Sequence, residues 1–223
     1  MSADTTGAPA GAPLGFDDVE LLEQDTAYAG YFKVDRYRFR HRKYDGAWSE
    51  PMVREIFERG HAVAVVLYDP AKDKMVLIEQ FRPGAWVATQ EPHLAGAFTP
   101  WLIEIVAGII DEGETAEAVA RREALEEAGC VVREMRPIGP ILTTPGGSSE
   151  TVVLYLGLVD APETGGIFGL EEEHEDIRVL LASPDEVWGW MDQGRVVNCA
   201  ALAALQWFRI HQDDLRGNTA KGG

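Results

Sequence analysis

The sequence predicts an α/β (α+β) fold, a mixed β-sheet core sandwiched between helices with a small antiparallel β-sheet in front of it. Three observations carry this. Fully apolar runs such as AVAVVLY and TVVLYLGLV read as strands buried on both faces. A helix-forming stretch, Thr115–Ala128, and two more near the C-terminus separate and follow these runs. The segment Phe16–Tyr44 is instead rich in aromatics and charges, the composition of half-buried strands.

Taken in order, residues 1–15 (MSADTTGAPAGAP and the two after it) read as a loose tail, and residues 16–57 as the N-terminal sheet, with Tyr31–Phe39 its clearest strand. Residues 58–213 form the main domain and 214–223 a second tail. AVAVVLY, the turn Asp69-Pro70-Ala71-Lys72-Asp73 and MVLIEQF form a hairpin. Residues 83–101 contain prolines and glycines without periodicity and read as a long loop. WLIEIVAGII reads as one strand. VVREMRPIGPIL reads as a strand that Pro137 and Pro140 confine to an edge or a bend. TVVLYLGLV is buried, Gly165–Glu175 is a loop of glycines then glutamates, and IRVLLA is a strand. Helices near Pro184–Gln193 and Asn198–His211 close the chain, with Trp188, Trp190, Trp207 and Phe208 as core.

Composition narrows the function classes. Apolar residues are 46% and charged ones 26%, ordinary globular usage that excludes disordered and fibrous classes. Thirty-seven acidic against 20 basic residues leave a net charge of −17, which argues against nucleic acid or an anionic membrane as partner. The longest charge-free runs, Pro137–Ser149 and Val196–Phe208, fall short of the roughly 20 residues a bilayer-spanning helix needs. Two cysteines without metal-type spacing suit a reducing compartment, and the cytoplasm is expected.

The most informative stretch is GIIDEGETAEAVARREALEEAGC, Gly108–Cys130. Thr115 is an N-cap, Gly129 a C′ glycine, and the helix between them brings Glu123, Glu126 and Glu127 onto one face within an arc of roughly 100°. Like charges at i and i+4 destabilise a helix by roughly 0.2–0.5 kcal/mol per pair, so something is expected to offset that cost. The competing reading is a solvated acidic surface. Two carboxylates on a rigid helix are also the hard oxygen donors that Mg²⁺ or Mn²⁺ takes. Arg122 can orient a carboxylate, and Gly108 lets backbone approach closely.

This stretch resembles the Nudix box: Gly108, Glu114, Arg122, Glu123, Glu126, Glu127 and Gly129 stand at the box's fixed positions, with small Ala124 and Cys130 at its apolar ones. At about 7% usage per residue, seven fixed positions coincide by chance roughly once in 10⁸ starts. Residues 16–212 resemble bacterial ADP-ribose pyrophosphatases, through VREIFERGHA, VLIEQFR, GLEEEHEDIRV, AALQWF and the placing of Pro145 after the box. Against shorter members, 83–101 is an insertion.

That resemblance implies a Nudix fold and Mg²⁺-dependent hydrolysis of ADP-ribose to AMP and ribose 5-phosphate, with Mn²⁺ as the alternative ion. It implies that Glu123, Glu127 and the Ala107 carbonyl hold the metal, with Glu175 a further ligand and Glu126 either joining them or supporting them from behind, while Gly108, Glu114 and Arg122 support the box. It places the catalytic base on the acidic loop, at Glu173, although composition alone does not choose among Glu171, Glu172, Glu173 and Glu175. Substrate contacts fall to Tyr31, Arg54, Glu55, Arg82, Pro145, Gly146 and Glu150, with Tyr31 stacking on adenine unless it is a core aromatic. The implied unit is a homodimer in which the N-terminal sheet is exchanged and Tyr31 and Arg54 complete the partner's site. The alternatives are hydrolysis of another nucleoside diphosphate sugar such as GDP-mannose, or of a dinucleotide, and a non-catalytic nucleotide sensor.

Overall fold

The computed structural model describes residues 13–217. The chain divides into two compact units: Met1–Arg59 with Thr144–Glu150, and Gly60–Thr143 with Thr151–Gly223. The segment 144–150 therefore belongs with the N-terminal residues, which a purely sequential division at residue 57 does not anticipate. Of the expected tails, residues 1–12 and 218–223 lie outside the described residues. Phe16–Asp18 forms a 3-10 turn that opens where Asp18 Oδ2 accepts the Gly15 N–H at 2.8 Å.

The first unit is an antiparallel sheet of β1 (Val19–Ala29), β2 (Lys33–His41) and β3 (Met52–Glu58) in that order. Its outer strand β1 bulges near Leu22 and Ala27, where the register with β2 slips. Segment 144–150 joins β3: Phe57 N–H donates to Gly147 O at 2.8 Å, and Ser148 Oγ donates to Phe57 O at 2.9 Å. Among the described residues of this unit only Asp35, Ser148 and Glu150 are buried, and none of those is apolar.

The second unit is a mixed sheet. Its strands are β4 (His61–Asp69), β5 (Lys74–Phe81), β6 (Trp101–Glu104), β7 (Val106–Ile110), β8 (Glu134–Leu142), β9 (Thr151–Leu158), β10 (Ile167–Phe168) and β11 (Ile177–Ala182). They run β10-β11-β5-β4-β9-β8, with β6 on β5 and β7 on β4; β4 and β9 are parallel and the other pairs antiparallel. The helices are α1 (Pro83–Ala88), α2 (Ala116–Ala128), α3 (Pro184–Asp192) and α4 (Cys199–Gly217).

Each strand of the apolar runs feeds two cores. On β4, Val63, Val65 and Leu67 pack with Val119, Ala120, Ala124 and Ala128 of α2, while Ala64, Val66 and Tyr68 pack with Ala204, Leu205 and Phe208 of α4. That is the layered sheet between helices that the unbroken apolar runs predict. The turn after β4 is closed by Asp69, whose Oδ1 accepts Ala71 N–H at 2.9 Å. Prolines 137 and 140 do sit on an edge strand, β8, at an irregularity between Pro137 and Gly139.

Three expectations need correction. WLIEIVAGII is two strands, because β6 pairs with β5 and β7 with β4, and the chain changes partner at Ile105. The 83–101 loop contains α1, started by Pro83, whose fixed φ and missing N–H suit a first turn. The last helix runs past His211 to Gly217, held at its end by Arg216, whose guanidinium binds Asp73 at 2.7 Å.

Candidate functional site

The box helix forms as its caps dictate. Thr115 Oγ1 accepts the Ala118 N–H at 3.3 Å, and Gly129, at φ 62°, ends α2 in the left-handed conformation. The buried face of α2 carries Val119, Ala120, Ala124 and Ala128 into the core and takes Glu127 with them. Small Ala124 and Cys130 thus serve packing, as expected of their positions.

Glu127 is only 3% exposed. Its Oε2 accepts the Ala107 N–H at 3.0 Å, tying α2 to β7. Burial, reinforced by the neighbouring charges of Glu123 and Glu175, pushes its pKa up to about 8 against the pull of that N–H and of Arg82. Glu123 is pushed up to about 7, chiefly by burial and by Glu126 and Glu175, with Arg122 opposing. Two carboxylates are thus held where their own charges are unfavourable. Gly108 makes this possible: a Cβ there would collide with the Glu123 carboxylate, so the absence of a side chain at 108 leaves the space that Glu123 occupies.

Arg122 binds the outer carboxylates. Its Nη1 lies 2.9 Å from Glu123 and 2.8 Å from Glu126, and its Nε is 3.9 Å from Glu114. Glu114 also accepts the Asp111 N–H at 3.1 Å, closing the turn before the helix. Arg122 thus contacts Glu114, Glu123 and Glu126, and Gly108 lies against Glu123.

The acidic loop follows β10. Phe168 packs where a Gly129 Cβ would be, 2.7 Å away, which seats the start of the loop on the end of α2. Glu171–Glu173 makes a 3-10 turn and His174 takes φ 57°. The Glu173 side chain lies outside the described residues, so its expected role as base is not located. Glu175 is half-buried, and its Oε2 accepts the Leu170 N–H at 3.1 Å. Among the described residues no three His, Cys, Asp or Glu side chains stand together as a metal cage. The described donors are the Glu123 and Glu127 carboxylates with the main chain of Ala107 beside them.

Arg82, at the end of β5, is pinned by Glu104 of β6 through three contacts of 3.3, 3.0 and 2.7 Å. Burial works against the Arg82 charge, but Glu104, Glu127 and Glu175 outweigh it and raise its pKa. Glu104, Gln80 and Asn198 were not singled out in the sequence. The signal for Glu104 is a lone carboxylate inside the apolar run WLIEIV, which requires a buried partner.

The remaining expected contacts lie in the first unit. Tyr31 is 89% exposed and meets Phe32 edge-on at 4.8 Å; Phe32 meets Phe57 at 5.0 Å, and Arg59 lies over Phe32 at 5.7 Å. Tyr31 is therefore not a core aromatic, and Phe32 extends its surface. Arg54 is exposed, with Nη1 donating to Val53 O at 2.7 Å, and exposed Glu55 is 4.0 Å from Arg36. Pro145 and Gly146 form a turn in which Gly147 N–H donates to Thr144 O at 3.1 Å. Glu150 is buried and accepts from Arg59 at 3.3 Å.

Comparison with known proteins resolves the family. The NUDIX domain model matches residues 58–199, from β3 to the start of α4. The chain belongs to the Nudix family. The ADP-ribose pyrophosphatase of Escherichia coli strain K12 is 45% identical over 207 residues, 93% of this Nudix chain and 95% of that protein. That of Haemophilus influenzae is 37% identical, covering 89% of each. A crystal structure of an ADP compounds hydrolase superposes with a TM-score of 0.67, covering 92% of this chain and all of that one, at 18% identity, which shows the Nudix fold alone. As a Nudix hydrolase, the protein carries one box carboxylate, Glu127, buried by its fold, with Glu123 and Glu126 half-buried and Glu114 exposed.

Proposed function

We propose that this Nudix hydrolase is an ADP-ribose pyrophosphatase, cleaving the diphosphate of ADP-ribose to AMP and ribose 5-phosphate with Mg²⁺, or Mn²⁺ in its place. The observation that carries the proposal is the pair Glu123, half-buried, and Glu127, buried, two carboxylates with their pKa values raised, in a chain alike over nearly its whole length to enzymes named for that substrate.

The donor set fits a hard divalent cation. Glu123, Glu127 and the Ala107 carbonyl would hold it, with Glu175 as a further ligand; all are oxygen donors, and the unfavourable burial of two charges is what a cation offsets. A bound ion supplies positive charge against the diphosphate and acidifies water. The chain's own residues do the rest. Arg82 grips a phosphate oxygen, a role for which arginine's forked donors suit better than lysine. Arg122 holds Glu123 and Glu126 in place, and the Ala107 N–H fixes Glu127. Glu173, on the acidic loop, takes the proton from the attacking water.

The first unit supplies nucleotide recognition. Exposed Tyr31 stacks on adenine, Arg54, Glu55 and Glu150 contact the nucleotide, and Pro145 and Gly146 shape the turn beside it. Its sheet, without a buried apolar residue, supports a homodimer in which this surface meets a second copy and completes the partner's site. A net charge of −17 gives no electrostatic attraction to nucleic acid or anionic lipid. No helix among the described residues is long and apolar enough to cross a membrane, and both cysteines are free thiols, which suits the cytoplasm.

The test is to incubate the protein with ADP-ribose and Mg²⁺ and separate the products, with GDP-mannose and dinucleotides in parallel. AMP and ribose 5-phosphate, formed with the highest kcat/KM and lost on adding EDTA, are expected. Faster cleavage of GDP-mannose would overturn the substrate while leaving a Nudix hydrolase.

A further inference from the structure

Arg82 leaves the sheet with its backbone fixed, its N–H donating to Pro100 O at 2.8 Å. A long guanidinium side chain would normally be free to sweep the site. Here Nε and Nη2 both bind Glu104, at 3.0 and 2.7 Å to Oε2, while Nη1 makes no hydrogen bond among the described residues. Glu104 is 2% exposed, a carboxylate at the end of β6 among Leu102, Ile103 and Ile105. Its remaining donors are Asn198 Nδ2 at 2.8 Å and Gln80 Nε2 at the long distance of 3.5 Å. Asn198 is fixed in turn, because its Oδ1 accepts the Ala201 N–H at 3.0 Å and so caps α4. A chain of contacts runs from a helix cap through an amide and a carboxylate to one edge of the guanidinium. Fold stability does not account for such an arrangement, since a buried ion pair is often no better than apolar residues of the same volume.

We infer that Glu104, braced by Asn198, is a positioning residue: it holds Arg82 by one edge of its fork so that the Nη1 edge faces a phosphate oxygen of the substrate. The inference rests on the proposed function, in which Arg82 binds the diphosphate. The loss of flexibility is taken before substrate arrives, so the pair stiffens the contact rather than adding one.

The test is a double-mutant cycle on kcat and KM for ADP-ribose with Mg²⁺, using Glu104→Gln, Arg82→Ala and the double variant. Glu104→Gln is expected to lower kcat/KM about tenfold, mainly through KM, and to change it less than twofold once Arg82 is alanine. An equal loss in both backgrounds would mean that Glu104 acts on the fold generally and would overturn the role. Should Glu104→Gln not fold, Asn198→Asp serves in its place, keeping the helix cap but turning the donor to Glu104 into an acceptor; the same disappearance in the Arg82→Ala background is expected and its absence overturns the role. A wild-type protein that turns over GDP-mannose but not ADP-ribose removes the proposed substrate, and the same cycle on GDP-mannose then decides whether Glu104 positions Arg82 for a diphosphate.

Discussion

The two sheets of this protein bury opposite things. The mixed sheet of the second unit buries nearly everything on β4 and β5, and burial is thorough enough to include the carboxylates of Glu104 and Glu127. The three-stranded sheet of the first unit buries no apolar side chain among the described residues and leaves Leu21, Tyr28, Tyr31, Phe32, Val53 and Phe57 in the open. The difference separates two tasks. A dry, rigid framework raises the pKa of acidic groups and fixes their geometry, as holding a cation demands. An open aromatic surface suits a flat ring or a second copy of the chain, and its stability must come from whatever covers it.

The largest effect expected from this contrast is on stability. Phe208, fully buried against Tyr68 at 4.8 Å, should cost about 3–5 kcal/mol when changed to alanine, while Leu21→Ala, at a position 56% exposed, should cost no more than about 0.5 kcal/mol in the monomer. Urea unfolding of both variants measures this, and similar losses would break the distinction between the sheets.

Activity comes next. Glu127→Gln keeps the side-chain shape and the neutral form that burial already favours, so the fold should survive by circular dichroism while turnover falls by two to three orders of magnitude. Full activity in that variant would remove Glu127 from the chemistry.

A smaller effect sharpens the same point through pH. The pKa values of Glu123 and Glu127 are raised from 4.5 to about 7 and about 8, so their contribution to stability is present below pH 4.5 and is lost as pH rises through 7 to 8. The metal-free protein should therefore lose thermal stability between pH 5 and pH 8.5 more steeply than Glu123→Gln/Glu127→Gln does, and Mg²⁺ should restore it at the upper end. Calorimetric scans across this range check it; an identical slope in the double variant would mean that the fold does not raise the pKa values of the two carboxylates.

What was legible in the sequence follows the same divide. Thr115 and Gly129 mark both ends of the box helix because capping is local chemistry, and the apolar strand runs announce burial on both faces. The spacing of Gly108, Glu114, Arg122 and Glu123 was likewise readable, though not why Gly108 matters, since only the fold lays the Glu123 side chain across it. The split of residues 101–110 into β6 and β7 was hidden because the chain changes partner strand without changing composition. Glu104 and Asn198 stand 94 residues apart, and no local pattern pairs them. In the first sheet an exposed face carries aromatics that would elsewhere signal a core, so Tyr31 alone could not declare which it was.

The most direct measurement is a crystal structure of the protein soaked with Mg²⁺ and a non-cleavable ADP-ribose analogue. An ion bonded to Glu123, Glu127 and the Ala107 carbonyl, and to an oxygen of the diphosphate, is the expected result. An ion held elsewhere, with both carboxylates turned away from it, would contradict the claim that Glu123 and Glu127 together bind a cation.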